Sequence, residues 1–134
     1  MGKKIVSIHS VAIFLWILIV FHFIAFFGDL YQSYNGLDKI SHFLGGFWLT
    51  ILFSHLVQRF KWPEGSFITV LGWVALFTIF WEFHEFLADK LINNGNLKMQ
   101  VSVSDTMGDL FFGLLGATIF LAWKKLLLLM EAKS

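Results

Sequence analysis

An all-α integral membrane four-helix bundle is the fold class this sequence predicts. Of its 134 residues, 57% are hydrophobic and only 14% are charged. The apolar residues gather into four stretches, each close to the roughly 20 residues a helix needs to cross a bilayer. A soluble domain carries about a quarter charged residues, which speaks against an ordinary water-soluble enzyme. A net charge of +1 offers no basic surface for nucleic acid and no charge-driven disorder. With no cysteine in the chain, any metal must be held by oxygen and imidazole rather than thiolate.

The first stretch, residues 5–27, follows Lys3 and Lys4 as a signal peptide would. It is long for one and ends in Ala25-Phe26-Phe27 without a small-residue cleavage site, so it reads as a retained helix. Met1-Gly2 hints at myristoylation, but the sixth residue is Val6 where that motif wants Ser or Thr. The second, third and fourth stretches cover residues 38–60, 66–89 and 105–123. Between them, residues 28–37, 61–65 and 90–104 carry the turn formers, including Asn35-Gly36, Pro63 and Asn93-Asn94-Gly95. On this reading one transmembrane domain uses the whole chain, 1–134, and leaves nothing for a soluble catalytic domain.

Orientation follows from lysines and arginines near the helix ends. With a cytoplasmic N-terminus, Lys3, Lys4, Arg59, Lys61, Lys124, Lys125 and Lys133 lie inside, against Lys39, Lys90 and Lys98 outside. Both termini are therefore expected in the cytoplasm. Asp29, Asp38, Glu82, Glu85, Asp89, Asp105 and Asp109 then all fall toward the outer side, leaving Glu64 and Glu131 inside.

Helical spacing gathers these acids further. Asp38 and His42 are four apart and share a face, which Gly45 continues. Glu82, Glu85 and Asp89 form a second stripe, extended inward by Thr78. Asp105 and Asp109 form a third, continued by Gly116, with Gly108 and Gly113 to either side. The second and fourth helices start at the outer side and the third ends there, so the three stripes meet at one depth. Packed together they make a pocket in the outer leaflet.

Charge decides what such a pocket holds. A charged side chain at the centre of a membrane helix costs about 2.5–3.5 kcal/mol even on insertion scales. Facing acids add repulsion. Lys39 and Lys90 sit at helix ends, where they are expected to reach water. Either several acids keep protons or a bound cation compensates them. Carboxylates with one histidine suit magnesium, manganese, calcium, iron or zinc, and helical bundles assemble two-metal centres from such inward-facing acids. The expected ligands of one or two divalent ions are Asp38, His42, Glu82, Glu85, Asp105 and Asp109, with Glu82 also the preferred general base.

Simpler readings stand beside these. Asp38 and Asp105 at helix starts read singly as caps, and Asp89 beside Lys90 as a solvated helix end. His84 falls on the far side of its helix from the acidic stripe. The string from His84 lacks the second histidine of the zinc-protease signature. His22 is a candidate contributor from the first helix, whereas His9 and His55 read as structural. Ser41 diverges from His42 by about 100° of helix, which argues against a catalytic triad. Asp105 and Asp109 lack the preceding Asp-Gly and Ala-Arg elements of alcohol phosphotransferases. Gly113 and Ala117 read as a helix-packing pair.

Three motifs carry a family resemblance. They are Asp38-Lys39-Ile40-Ser41-His42-Phe43 with Gly45-Gly46-Phe47, then Trp81-Glu82-Phe83-His84-Glu85, then Asp105-Thr106-Met107-Gly108-Asp109 with Gly113 and Gly116. In order and spacing they resemble the YjdF-like family of small bacterial and archaeal membrane proteins. More distantly the chain is similar to VanZ-like proteins, which share the Asp-Lys-x-x-His-Phe start and a later acidic helix. The likeness spans about residues 38–117 and implies that Asp38, His42, Glu82, Glu85, Asp105 and Asp109 are the family's polar positions. The VanZ-like pattern has a glutamate followed by Gln and a later Asn where this chain has two glutamates and two aspartates, so glycopeptide resistance is not carried over.

The function these features predict is a metal-dependent hydrolase or transferase acting on a membrane lipid or lipid-linked phosphate. The alternative is a proton- or cation-coupled transporter or channel subunit, which at this size requires homo-oligomerisation to build a path. A third reading is an assembly subunit whose acids meet cations on a partner protein. All three place the chain in the cell membrane as a multi-pass protein.

Overall fold

The structure, a computed structural model, describes residues 7–34, 36–60, 67–92 and 102–132. Its first helix, α1 (Ile8–Phe27), begins where the Ser7 hydroxyl accepts the backbone N–H of Ser10, satisfying one of the amides that a helix start leaves free. After Gly28 the chain turns through Asp29, whose φ of 53° is left-handed, into a short helix, α2 (Leu30–Ser33). The sequence predicts only a loop there. Gly36, at φ 92°, then opens α3 (Leu37–Arg59); a residue with a Cβ is strained in that conformation.

Two long helices complete the fold, α4 (Phe67–Ile92) and α5 (Val103–Glu131). The expected loop 61–65 lies outside the described residues, as do residues 93–101 of the expected loop 90–104, whose ends are instead helical at 90–92 and 103–104. At α5 the cap is Ser102, whose side chain accepts the N–H of Asp105, and at α3 it is Gly36. Neither Asp38 nor Asp105 is therefore a cap, although both lie in a first turn, where a carboxylate meets the positive end of the helix dipole. The fourth span also runs past residue 123, because Lys124 and Lys125 are followed by helix-forming leucines through Met130.

Among the described residues every regular element is helical, and α1, α3, α4 and α5 are each long and apolar enough to cross a membrane. Their exposed surfaces carry large apolar side chains such as Trp16, Ile17, Ile68, Phe80 and Phe111. Water would disfavour that arrangement; lipid chains accept it.

Helix α3 is the centre of the bundle, with its most extensive contact along α5. Glycines make that contact close. A Cβ on Gly46 would sit 1.9 Å from the carbonyl oxygen of Gly113, and one on Gly116 would sit 2.1 Å from that of Phe43. The buried glycine on α3 is thus Gly46, whereas Gly45, the expected continuation of the acidic face, looks onto open space. Small residues let membrane helices approach at backbone distance, where van der Waals contact replaces the missing hydrophobic drive. Ala117 is also fully buried.

Below these glycines Phe53, Val57, Val70, Val74, Ala117 and Leu121 form one apolar core. A second, of Val11, Ile51 and Phe120, attaches α1 to the bundle. The Trp48 indole N–H donates to the Val11 carbonyl at 2.8 Å. With α3 and α5 starting at the end where α4 finishes, the predicted polar stripes share one end of the bundle.

Candidate metal centre

All six predicted ligands converge at that end. Three overlapping groups each offer ligand atoms within 4.8 Å of one another: Asp38, His42 and Glu85; His42, Glu82 and Asp109; and Asp38, Asp105 and Asp109. Among the described residues, Asp29 and Asp89 belong to none of these groups. His42, Glu82, Glu85 and Asp109 are buried, and Asp38 and Asp105 are partly exposed.

The His42 imidazole is the hub. Its Nδ1 faces Glu82 Oε1 at 3.7 Å, and its Nε2 faces Asp38 Oδ1 at 3.6 Å and Asp109 Oδ1 at 3.9 Å. These separations are too long for hydrogen bonds. They are near the spacing of two ligands on one ion, since bonds of about 2.0–2.2 Å place neighbouring ligand atoms roughly 3–3.5 Å apart. Glu82 Oε1 is buried without any hydrogen-bond partner, and an unsatisfied buried carboxylate oxygen is costly. The Glu82 side chain does hydrogen-bond that of Thr106. The donor set and the orphaned oxygen together fit a divalent cation between Glu82 and His42.

Lys39 corrects the sequence reading. Instead of reaching for water, its ammonium turns inward, donating to Asp109 Oδ1 at 2.8 Å and to Asp105 Oδ1, with Asp38 Oδ2 at 3.9 Å. The signal was present, because Lys39 lies three residues before His42, about 60° around the helix. Trp81 was also missed. Its indole N–H donates to Glu85 Oε1 at 2.8 Å, as its place four residues before Glu85 allows.

His22 does not join the carboxylate groups. It anchors a hydrogen-bonded chain from α1 through α2 to α3, with His22 Nδ1 3.0 Å from the Tyr31 hydroxyl and that hydroxyl 3.2 Å from Ser41 Oγ. Ser41 donates its only proton to the Leu37 carbonyl, so Tyr31 donates to Ser41 and His22 donates to Tyr31 through Nδ1–H. Ser41 is thereby committed to structure, as its divergence from His42 implied. The His22 ring also meets Trp81 edge-on at 5.5 Å, which ties α1 to the α4 side of the centre. His84 is exposed and lies against Trp81.

Burial raises the affinity of the Tyr31 phenol for its proton, and Asp38 and Glu85 add to the effect, against an opposing contribution of the hydrogen bond shared with Ser41. The phenol therefore remains a donor at neutral pH. Its contribution to stability is present below the ordinary tyrosine value near 10 and is lost as pH rises through the higher folded value. Tyr31→Phe keeps the ring and deletes both bonds. We expect it to lower unfolding free energy by about 1–2 kcal/mol, read by thermal unfolding in detergent at pH 7; an unchanged midpoint would show that the chain of bonds is dispensable.

Four apolar spans around a buried carboxylate–histidine cluster define a multi-pass membrane protein. Residues 4–129 match the model of a family described as predicted membrane protein, DUF2238, and the chain belongs to that family. An uncharacterized protein of Thermotoga maritima is 35% identical over 94 residues, covering 67% of this chain and 48% of that protein. The chain thus spans about half the length of this curated relative. No solved structure matches it.

Proposed function

We propose that this chain is a membrane-embedded divalent-cation protein that hydrolyses or transfers lipid-linked phosphate at headgroup depth. The observation that carries the reading is the buried, unpartnered Glu82 Oε1 held 3.7 Å from His42 Nδ1. Zinc, magnesium, manganese or iron each suit such a donor set. The YjdF-like and distantly VanZ-like character of the motifs belongs to the same reading, as does an orientation with both termini in the cytoplasm and the centre in the outer leaflet.

The division of labour follows from exposure. Glu82, Asp109 and His42 are enclosed and suit ligation, with Glu85 oriented by the Trp81 indole at their side. Asp38 and Asp105 are the partly exposed acids, at 29% and 26%; Asp38, which accepts no hydrogen bond from Lys39, suits the base that takes a proton from incoming water. Glu82, the base expected from sequence, is better placed as a ligand. A bound divalent ion supplies charge for phosphate oxygens and lowers the pKa of water.

Elemental analysis of detergent-purified protein tests the reading. We expect bound divalent metal in the wild type and at least tenfold weaker binding in Glu82→Gln and His42→Ala. Occupancy should rise with pH, because protons compete for imidazole and carboxylate. Phosphate release from phosphatidic acid or an isoprenoid diphosphate in mixed micelles should fall with metal content. Metal-free wild type with both variants equally stable would end the proposal.

One observation favours the transporter reading. Ser54 Oγ is buried without a hydrogen-bond partner on the same side of α3 as Thr50, toward the other membrane face. However, residues 43–58, 67–81 and 110–123 contain no Asp or Glu, so no carboxylate relay continues from the centre. Proton or cation flux in reconstituted vesicles that disappears with Ser54→Ala would reverse this preference.

A further inference from the structure

We propose that Lys39 is a built-in cation occupying one of two positive-ion positions in the centre. The wild-type protein then takes a single divalent ion, beside His42 and Glu82, and loss of the ammonium opens a second position on Asp38, Asp105 and Asp109. This rests on the divalent-cation reading above and specifies its ion count and the residue that sets it.

Two of the three ligand groups, His42–Glu82–Asp109 and Asp38–Asp105–Asp109, define two positions that share Asp109. One position is bounded by His42, by Glu82, with its unpartnered oxygen, and by Asp109. At the other, Asp38, Asp105 and Asp109 surround the Lys39 ammonium, which contacts oxygens of Asp105 and Asp109 and lies within 3.9 Å of Asp38. Asp109 belongs to both, and Asp38 approaches His42 Nε2 at 3.6 Å. Carboxylates shared between neighbouring cation positions are how helical bundles build dinuclear centres. Here an ammonium stands where the second ion of such a centre would stand.

Lys39 and a divalent ion are mutually exclusive at this point. Both require the same oxygens of Asp38, Asp105 and Asp109, and one space between them holds one cation. The Lys39 ammonium is paired with Asp38, Asp105 and Asp109, and no ion pair among the described residues joins it to Glu82. The five carboxylates of the cluster therefore receive one fixed positive charge and retain room for one mobile ion.

Mn²⁺ is the probe, because it prefers oxygen and imidazole ligands and its paramagnetic spectrum distinguishes isolated ions from adjacent ones. Metal-stripped full-length protein in detergent is titrated by equilibrium dialysis and electron paramagnetic resonance. The expected result is one Mn²⁺ per chain with an isolated-ion spectrum for wild type and Lys39→Arg. Lys39→Met should bind two, with broadening from a neighbour about 4 Å away. Lys39→Gln, which keeps hydrogen-bond donors without charge, serves if the Met variant fails to fold and should likewise bind two. A single ion in both wild type and the uncharged variants, or two in wild type, overturns the assignment of Lys39 and leaves the divalent-cation reading intact. No Mn²⁺ in any of these proteins overturns both. None in wild type but one in Lys39→Met overturns the proposal of one native divalent ion beside the ammonium.

Discussion

Gly46→Ala is expected to destabilise the folded bundle by about 3 kcal/mol or more, the upper part of the range for overpacking. The added methyl would lie 1.9 Å from the Gly113 carbonyl oxygen, 2.6 Å from its carbon and 2.9 Å from its Cα. All three are backbone atoms, so no side chain can rotate away and α3 must separate from α5. Gly116→Ala should act similarly, against the Phe43 carbonyl at 2.1 Å. The neighbouring Gly45→Ala is the control. Its Cβ meets nothing within 4 Å, and alanine is favoured over glycine in a helix by about 0.5–1 kcal/mol. Unfolding in mixed detergent micelles should show Gly46→Ala far below wild type and Gly45→Ala level with it or above. Equal midpoints for the two alanine variants would mean that the helices do not meet at backbone distance.

Asp109→Ala is expected to cost about 3 kcal/mol and to abolish high-affinity metal binding together. Asp109 is 2% exposed and accepts from Lys39 at 2.8 Å; removing one partner of a buried pair typically costs about 3–5 kcal/mol. Lys39 retains Asp105 and a quarter of its side chain is exposed, which places the effect at the low end. Asp109→Asn preserves size and an acceptor oxygen, so it should recover most of the stability while metal affinity stays impaired. The two losses are separable in this way, by unfolding midpoint and by dialysis against Mn²⁺. Full metal binding by Asp109→Asn would remove Asp109 from the ligand set.

Legibility in the sequence varied with the range of the physics involved. The four apolar spans follow from local composition, and each coincides with a helix. The acidic stripes follow from spacing along single helices, and Asp38, His42, Glu82, Glu85, Asp105 and Asp109 do converge. Reading failed where a side chain had to choose between water and a partner on another helix. Lys39 at a helix start reads as solvated, yet two acids on α5 offer it a better environment than the interface. The same limit explains Gly45 and Gly46. Adjacent residues point about 100° apart, and only the position of α5 decides which of the two must lack a side chain. The Tyr31 chain depends on a short helix whose sequence carries turn formers and no apolar period.

Hydropathy and helical period, both local properties, were sufficient to determine an all-helical multi-pass protein and the faces on which its acids lie. Only the tertiary structure decided which charges neutralise one another, leaving Lys39 with Asp105 and Asp109 and leaving Glu82 Oε1 without a partner. The reason is that electrostatic and hydrogen-bond energies in a low-polarity interior depend on separations of a few tenths of an ångström between helices. Those separations are set at glycines where two backbones touch, a property of the pair of helices and of neither sequence alone.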